Sequence, residues 1–316
     1  MKHLLLAVFL CAAGTLCAQR SWVVEIDTQA DIYAVGDAHA DYDRLAGVLR
    51  AAGLVDAEGK WSGGKSVLVV TGDTIDKGPE EVKTISYLRA LQLDAARSGG
   101  RLVLTLGNHE AEFLADPEGK KTRDFANGLV KAGLEPKSVA GCGGDLGVFF
   151  CSLPVAARVN DWFFSHGGYT AGRSIAQINA DVALGFSKER YASEQFVGDD
   201  SILEARLGAN GPGGLPWFMG GNAKTDPAKL LAAYAAALGV HHIVQGHQPA
   251  QVGFPDGVKR PAYTFFQRYG LLFLIDSGMS RGIEGSTGSG GALRIHGNQA
   301  EVVYPDGTSR VIWKAE

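Results

Sequence analysis

Short apolar runs recur along this chain, and most stop at a glycine. Ile32–Val35, Val67–Val70, Leu102–Leu106, Ala156–Val159, Trp162–Ser165, His242–Val244 and Leu271–Ile275 read as strands. Between several of them the apolar positions fall at helical spacing, over Tyr42–Ala52, Pro79–Arg97 and Pro227–Leu238. Strand and helix alternate through the first half, which predicts an α/β unit. The tail from Leu271 to Trp313 reads as β-rich, with turns at "PDG" and "HGN". Residues 171–225 are polar and glycine-rich, and predict an insertion of helix and loop over one face. No repeat, low-complexity tract or linker divides the chain, so residues 19–316 are expected to form one domain.

The N-terminus breaks this pattern. Lys2 is followed by the apolar run "LLLAVFLCAAG", and Ala18 offers a small residue for cleavage. Residues 1–18 therefore read as a signal peptide, and the mature protein is expected to be exported, periplasmic or secreted. The alternative is an uncleaved anchor. No later run is long enough to span a membrane, so no integral membrane segment is expected after cleavage. Removing the leader leaves two of the four cysteines, Cys142 and Cys151, in "CGGDLGVFFC". An even pair in an exported chain suggests a disulfide, formed across a hairpin, against the alternative of two free thiols.

Composition adds limits. The chain has 316 residues, 46% of them hydrophobic, enough for a sizeable core. A net charge of −4 without a basic run gives no case for nucleic acid. Oligomeric state is left open by the sequence.

The chemistry lies where the strands end. "VGDAH" carries Asp37 and His39, "TGDTIDKG" carries Asp73, Asp76 and Lys77, and "LGNHE" carries Asn108 and His109. "SHGG" then presents His166, "QGH" presents His247, and Asp276 follows the run "LLFLI". Ligand sites of α/β sheets form at the carboxyl ends of strands. An Asp, His and Asn set without thiolate suits Mn, Fe, Zn or Mg. Asp37, His39, Asp73, Asn108, His166 and His247 are too many ligands for one catalytic metal with open positions. They suit two divalent ions roughly 3.5–4 Å apart that share a carboxylate. A dinucleotide-binding fold is excluded, because Asp and His stand where a phosphate-cradling glycine loop would be.

The order GDxH, GDxxDKG, GNHE, HGG and GH resembles the calcineurin-like metallophosphoesterase superfamily and its phosphoprotein-phosphatase branch. "GDAHADYDRL", "LPVAARVNDWFFSHGG" and "GHQP" look most like the Shewanella-like bacterial phosphatases. The resemblance covers about residues 30–280. It implies a four-layer α/β/β/α fold, two mixed β-sheets packed as a sandwich and flanked by helices. It also implies two divalent metals, Mn first among the candidates and Fe or Zn after it. Asp37, His39 and His247 would hold the first and Asn108 and His166 the second, with Asp73 bridging. His109 would be the general acid, oriented by Asp76, and a hydroxide bridging the metals would attack phosphorus directly. Lys77 and Asn108 would contact the substrate phosphate.

Some positions depart from the family pattern. Ala40 replaces a glycine, Lys77 replaces an arginine, "DLGVFF" lacks the usual basic and Trp residues, and Met219 stands where an anion-binding arginine is expected. Arg268 and Arg281 are candidate replacements, and Asp276 is either a partner of a ligand histidine or an ordinary turn residue. The expected substrates are phosphotyrosine or phosphoserine/threonine peptides, or small phosphomonoesters. Alternatives are a nucleotide or dinucleoside-polyphosphate hydrolase, and a catalytically weak metal- or phospho-ligand-binding protein.

Overall fold

Alternation along the strands explains why they are apolar throughout. In the computed structural model, which describes residues 20–207 and 226–315 apart from 255, 287 and 289, Ile32 and Ala34 pack into one core cluster while Tyr33 and Val35 pack into another. Val67 and Val69 part in the same way from Leu68 and Val70, and Trp162 and Phe164 from Phe163. A strand covered on both faces has no position for a polar side chain. The smaller cluster joins residues of two sheets; the larger joins each sheet to helices.

The chain opens with β1 (Val23–Ile26), β2 (Ile32–Val35), α1 (Tyr42–Ala51), β3 (Val67–Val70), α2 (Glu81–Arg97), β4 (Arg101–Leu104) and α3 (Asn108–Ala115). Next come α4 (Arg123–Lys131), α5 (Pro136–Ala140), α6 (Gly144–Ser152), β5 (Ala156–Val159) and β6 (Trp162–Ser165). Helices α7 (Ile175–Glu189), α8 (Glu194–Val197) and α9 (Pro227–Leu238) precede β7 (His242–Gln245). The tail holds β8 (Val252–Gly253), β9 (Lys259–Arg260), β10 (Phe266–Arg268), β11 (Leu272–Leu274), β12 (Ala292–His296), β13 (Gln299–Val303) and β14 (Ser309–Lys314).

Two six-stranded sheets face each other, in the orders β14-β13-β12-β2-β3-β4 and β1-β5-β6-β7-β11-β10. Both are mixed. Strands β2, β3 and β4 run parallel, as do β6, β7 and β11, while β12 is antiparallel to β2 and β10 to β11. The expected two-sheet sandwich flanked by helices is therefore the observed fold. Parallel strands put their carboxyl ends on one rim, and that rim carries the polar motifs.

Helix limits follow capping chemistry. Asp226 accepts the Ala228 N–H before Pro227 starts α9, and Gly239 ends the helix at φ 70°. Ser174 and Gln177 form a capping box on α7, within the stretch expected to be an insertion of helix and loop.

One local expectation is corrected. Cys142 and Cys151 are bonded, but not across a hairpin. Cys142 precedes α6 and Cys151 lies in its last turn, so the bridge spans a helix. Leu146, Phe149 and Phe150 are buried at helical spacing, and that burial outweighs the turn signal of the glycines. The leader at 1–18 and Met219 lie outside the described residues. Among the described residues no helix is long and apolar enough to cross a membrane.

Candidate metal centre and active site

Each site residue closely follows a strand: Asp37 and His39 after β2, Asp73 and Asp76 after β3, His166 after β6 and His247 after β7 lie in loops, whereas Asn108 and His109 open α3 just after β4. All eight are buried. His39, Asp73, Asp76, Lys77 and His247 have φ between 40° and 68°. Non-glycine residues pay for that conformation, so the surroundings must hold it. Glu110 does much of this. Its carboxylate accepts the N–H groups of Asp73 (2.9 Å), Thr74 (2.7 Å) and Gly107 (2.8 Å), and the Thr74 hydroxyl (2.8 Å). The β3 and β4 turns are thereby one unit. Gly107 is required there, because a Cβ would lie 2.2 Å from Asp73 Oδ1.

Asp73 stands at the centre. Its Oδ1 accepts the His109 N–H at 3.0 Å and lies 3.3 Å from His166 Nε2; its Oδ2 lies 3.6 Å from His39 Nε2 and 4.0 Å from His109 Nε2. Two groups of ligand atoms result, each within 4.8 Å of one another: His39, Asp73 and His109, and Asp73, His166 and His247. The shared member is the carboxylate expected to bridge. His39 Nδ1 faces the Ile75 carbonyl (3.1 Å) and His166 Nδ1 the Thr71 carbonyl (2.8 Å), so each ring turns Nε2 inward. Asn108 Oδ1 reaches His166 Nε2 at 2.9 Å and so joins the second group. These nitrogen and oxygen donors fit a divalent metal centre.

His247 falls with the second group, not the first. Its Nδ1 is 3.0 Å from His166 Nε2. Asp37 enters neither group; its two oxygens accept the His247 N–H at 3.1 Å. Gly246 keeps them close, since a Cβ would come within 2.3 Å of Asp37 Oδ1.

The electrostatics are those of a cation site. Burial disfavours charge on His166, yet Asp73 and Asp37 hold its pKa up at about 10. Burial also pushes Asp73 up, but His166 and His109 more than offset it and keep the carboxylate ionised. His39, where burial outweighs Asp73, falls to about 3 and is neutral, whereas His166, held charged by the two carboxylates, must give up that proton to bind a cation.

His109 has a second partner that the other histidines lack. Its Nδ1 lies 2.9 Å from Asp76 Oδ2, and Asp76 Oδ1 accepts the Phe125 N–H at 2.9 Å. The ring is fixed with Nε2 towards a cavity of about 210 Å³ lined also by Asp73, Lys77, Asn108, His247 and Asp276. Lys77 Nζ reaches His39 Nε2 at 3.1 Å.

The structure corrects the search for missing cations. Arg268 pairs with Asp256 and lies over the Tyr269 ring, while Arg281 forks onto Asp41 at 2.7 and 2.8 Å. Neither lines the cavity; Lys121 and Arg206 do. Arg206 Nε is 3.1 Å from His247 Nε2. Its stretch, "SILEARL", carries no glycine or histidine motif, so only a basic residue within a polar segment marked it. Asp276 accepts the Gly278 N–H at 2.9 Å, as a turn residue does.

Comparison with known proteins gives the chain a family. A model of the calcineurin-like phosphoesterase family matches residues 30–251. Shewanella-like protein phosphatase 2 of Arabidopsis thaliana is 27% identical over 300 residues, covering 79% of this chain and 72% of the plant protein. The symmetrical bis(5'-nucleosyl)-tetraphosphatase of Aeromonas salmonicida is 34% identical over 101 residues, 31% of this chain and 32% of its own. The crystal structure of a cold-active protein tyrosine phosphatase from a psychrophilic Shewanella superposes with a TM-score of 0.66 at 24% identity, covering 92% of this chain and 82% of that one. At that identity the likeness concerns the fold.

Proposed function

The chain belongs to the calcineurin-like phosphoesterase family and is a phosphatase enzyme, and from that premise we propose that it is an exported, two-metal phosphomonoesterase acting on phosphotyrosine or phosphoserine/threonine peptides or on small phosphomonoesters. The observation that carries the reading is Asp73, shared by two histidine groups, beside the His109–Asp76 pair. When bound, two divalent cations supply charge for the phosphoryl oxygens and make a water acidic enough to attack at neutral pH. Asp73, Asn108, His166 and His247 would hold one of them, and Asp37, His39 and Asp73 the other.

The remaining work falls to this chain's side chains. With its Nε2 lone pair engaged as a ligand, His39 leaves Lys77 free to turn to a phosphoryl oxygen; His247 Nε2 gives its proton to the Glu204 carbonyl and so offers Arg206 no acceptor, which leaves that side chain free likewise. Arg206 offers the planar fork that a lysine lacks. The water oxygen, one proton already lost to solvent, bonds to phosphorus as the bond to the leaving oxygen breaks, and that leaving oxygen takes the proton from His109 Nε2. Asp76 holds the ring aimed and stabilises its charge. The His109–Asp76 pair weighs against a merely phospho-binding role, since binding alone needs no proton donor. The Cys142–Cys151 bond supports an oxidising compartment, in keeping with export.

The test is chelation followed by metal return, with p-nitrophenyl phosphate as substrate. Activity should vanish on metal removal and return, best with Mn, alongside about two ions per chain. Activity that survives removal overturns the mechanism. A second reading, dinucleoside-polyphosphate hydrolysis, is favoured by the similarity to the Aeromonas enzyme. A panel of phosphopeptides, phosphomonoesters and dinucleoside polyphosphates on the same sample separates the two by kcat/KM.

A further inference from the structure

Asn108 can serve as a ligand in only one orientation. Its carbonyl Oδ1 can donate a lone pair to a cation; its Nδ2 cannot, and would present N–H groups instead. The two ends of an amide have nearly the same shape, so packing alone does not choose between them. Here Nδ2 lies 3.0 Å from Glu204 Oε1, and an ionised carboxylate only accepts. That contact points Oδ1 the other way, to within 2.9 Å of His166 Nε2. Lys121 Nζ holds the same Glu204 oxygen at 3.0 Å and also pairs with Glu112, one turn along α3 from Asn108. Residue 204 reaches a second ligand as well. Its backbone carbonyl lies 3.0 Å from His247 Nε2, which favours the tautomer with Nδ1 free on the His166 side.

We propose that Glu204 is the positioning residue of the second metal position: its carboxylate, braced by Lys121, fixes the Asn108 amide with Oδ1 inward, while its main chain sets the His247 ring. The proposal rests on the reading of Asp73, Asn108, His166 and His247 as ligands. Nothing in the local sequence announces this role, because Glu204 is brought to Asn108 by the loop after α8.

The discriminating experiment compares the full mature protein with Glu204→Ala and Glu204→Gln, titrating each apoprotein with Mn²⁺ by calorimetry and reading Mn–Mn coupling by electron paramagnetic resonance. Glutamine keeps an acceptor for Asn108; alanine does not. The expected result is one Mn²⁺ bound as in the wild type and the other about 10- to 100-fold more weakly in Glu204→Ala, with loss of the coupled signal and recovery to within about threefold in Glu204→Gln. Wild-type Mn²⁺ affinities in Glu204→Ala overturn the inference. So does an equal loss at both positions, or a loss that Glu204→Gln shares, because either result makes the residue a general structural support. A wild-type protein that binds fewer than two ions overturns the two-metal reading itself, a separate outcome.

Discussion

His109 and Asp73 show how one residue type or one carboxylate takes its role from its second contact. His39 and His166 give Nδ1 to backbone carbonyls, whereas His109 gives it to Asp76. A carbonyl fixes a neutral tautomer; a carboxylate also stabilises the charged ring that a proton donor needs. His109→Ala is therefore expected to lower kcat by about 10²–10⁴ while bound metal stays near the wild-type level. The loss should be larger for phenyl phosphate than for p-nitrophenyl phosphate, since the poorer leaving group depends more on the donated proton. Equal losses on the two substrates would show that His109 does not donate the proton, and departure of metal would show that it is a ligand instead. Asp73 differs because it faces three histidines at once.

At the scale of elements, the turn between β3 and α2 bears the strain of the site. Asp76 at φ 60° is held from behind by Glu81, the first residue of α2, whose Oε2 accepts the Asp76 N–H at 2.8 Å. Glu81 Oε1 is buried without a partner. Burial lifts this carboxyl to about 8; the Asp76 N–H opposes the rise and the nearby Asp76 charge adds to it. The folded protein thus holds the Glu81 proton more tightly than the unfolded chain does. Below about pH 4.5 ionisation costs nothing; from there to about pH 8 stability falls, by a few kcal/mol at most, and above that the loss is constant. Glu81→Gln retains the acceptor and removes the charge. Its melting temperature should match the wild type near pH 4 and exceed it by several degrees at pH 9. An advantage that does not change with pH would mean that the gain comes from packing.

For the whole molecule, the two sheets bring the first three motifs and the later two onto one rim. The first sheet supplies Asp37, His39, Asp73, Asn108 and His109, and the second supplies His166 and His247. Loosening the periphery should spare the centre. The Cys142–Cys151 bridge closes a short loop around α6, away from the cavity-lining residues. Replacing both cysteines by serine is expected to cost about 3 kcal/mol and to lower the melting temperature by about 5 °C or more, while kcat/KM at 25 °C changes less than twofold. A large drop in kcat/KM with stability unchanged would instead couple α6 to the site.

Half of the strands among the described residues, three helices and the donor types were legible because each is written locally. A strand covered on both faces must be apolar, and a turn that offers a ligand at its end must carry glycine beside Asp, Asn or His, as "TGDTID" and "LGNHE" do. The sequence by itself therefore determined the donor types and the sheet-and-helix class, and the resemblance paired His109 with Asp76, which the fold brings to 2.9 Å. The tertiary structure decided which ligands stand together. It set His247 beside His166 instead of His39, placed Arg206 and Lys121 in the cavity where Arg268 and Arg281 had been considered, and set Glu204 against Asn108. These are distances between segments far apart in the chain, fixed by how two sheets and their loops pack. Spacing along a chain records what a turn can offer, and only packing decides what the turn meets.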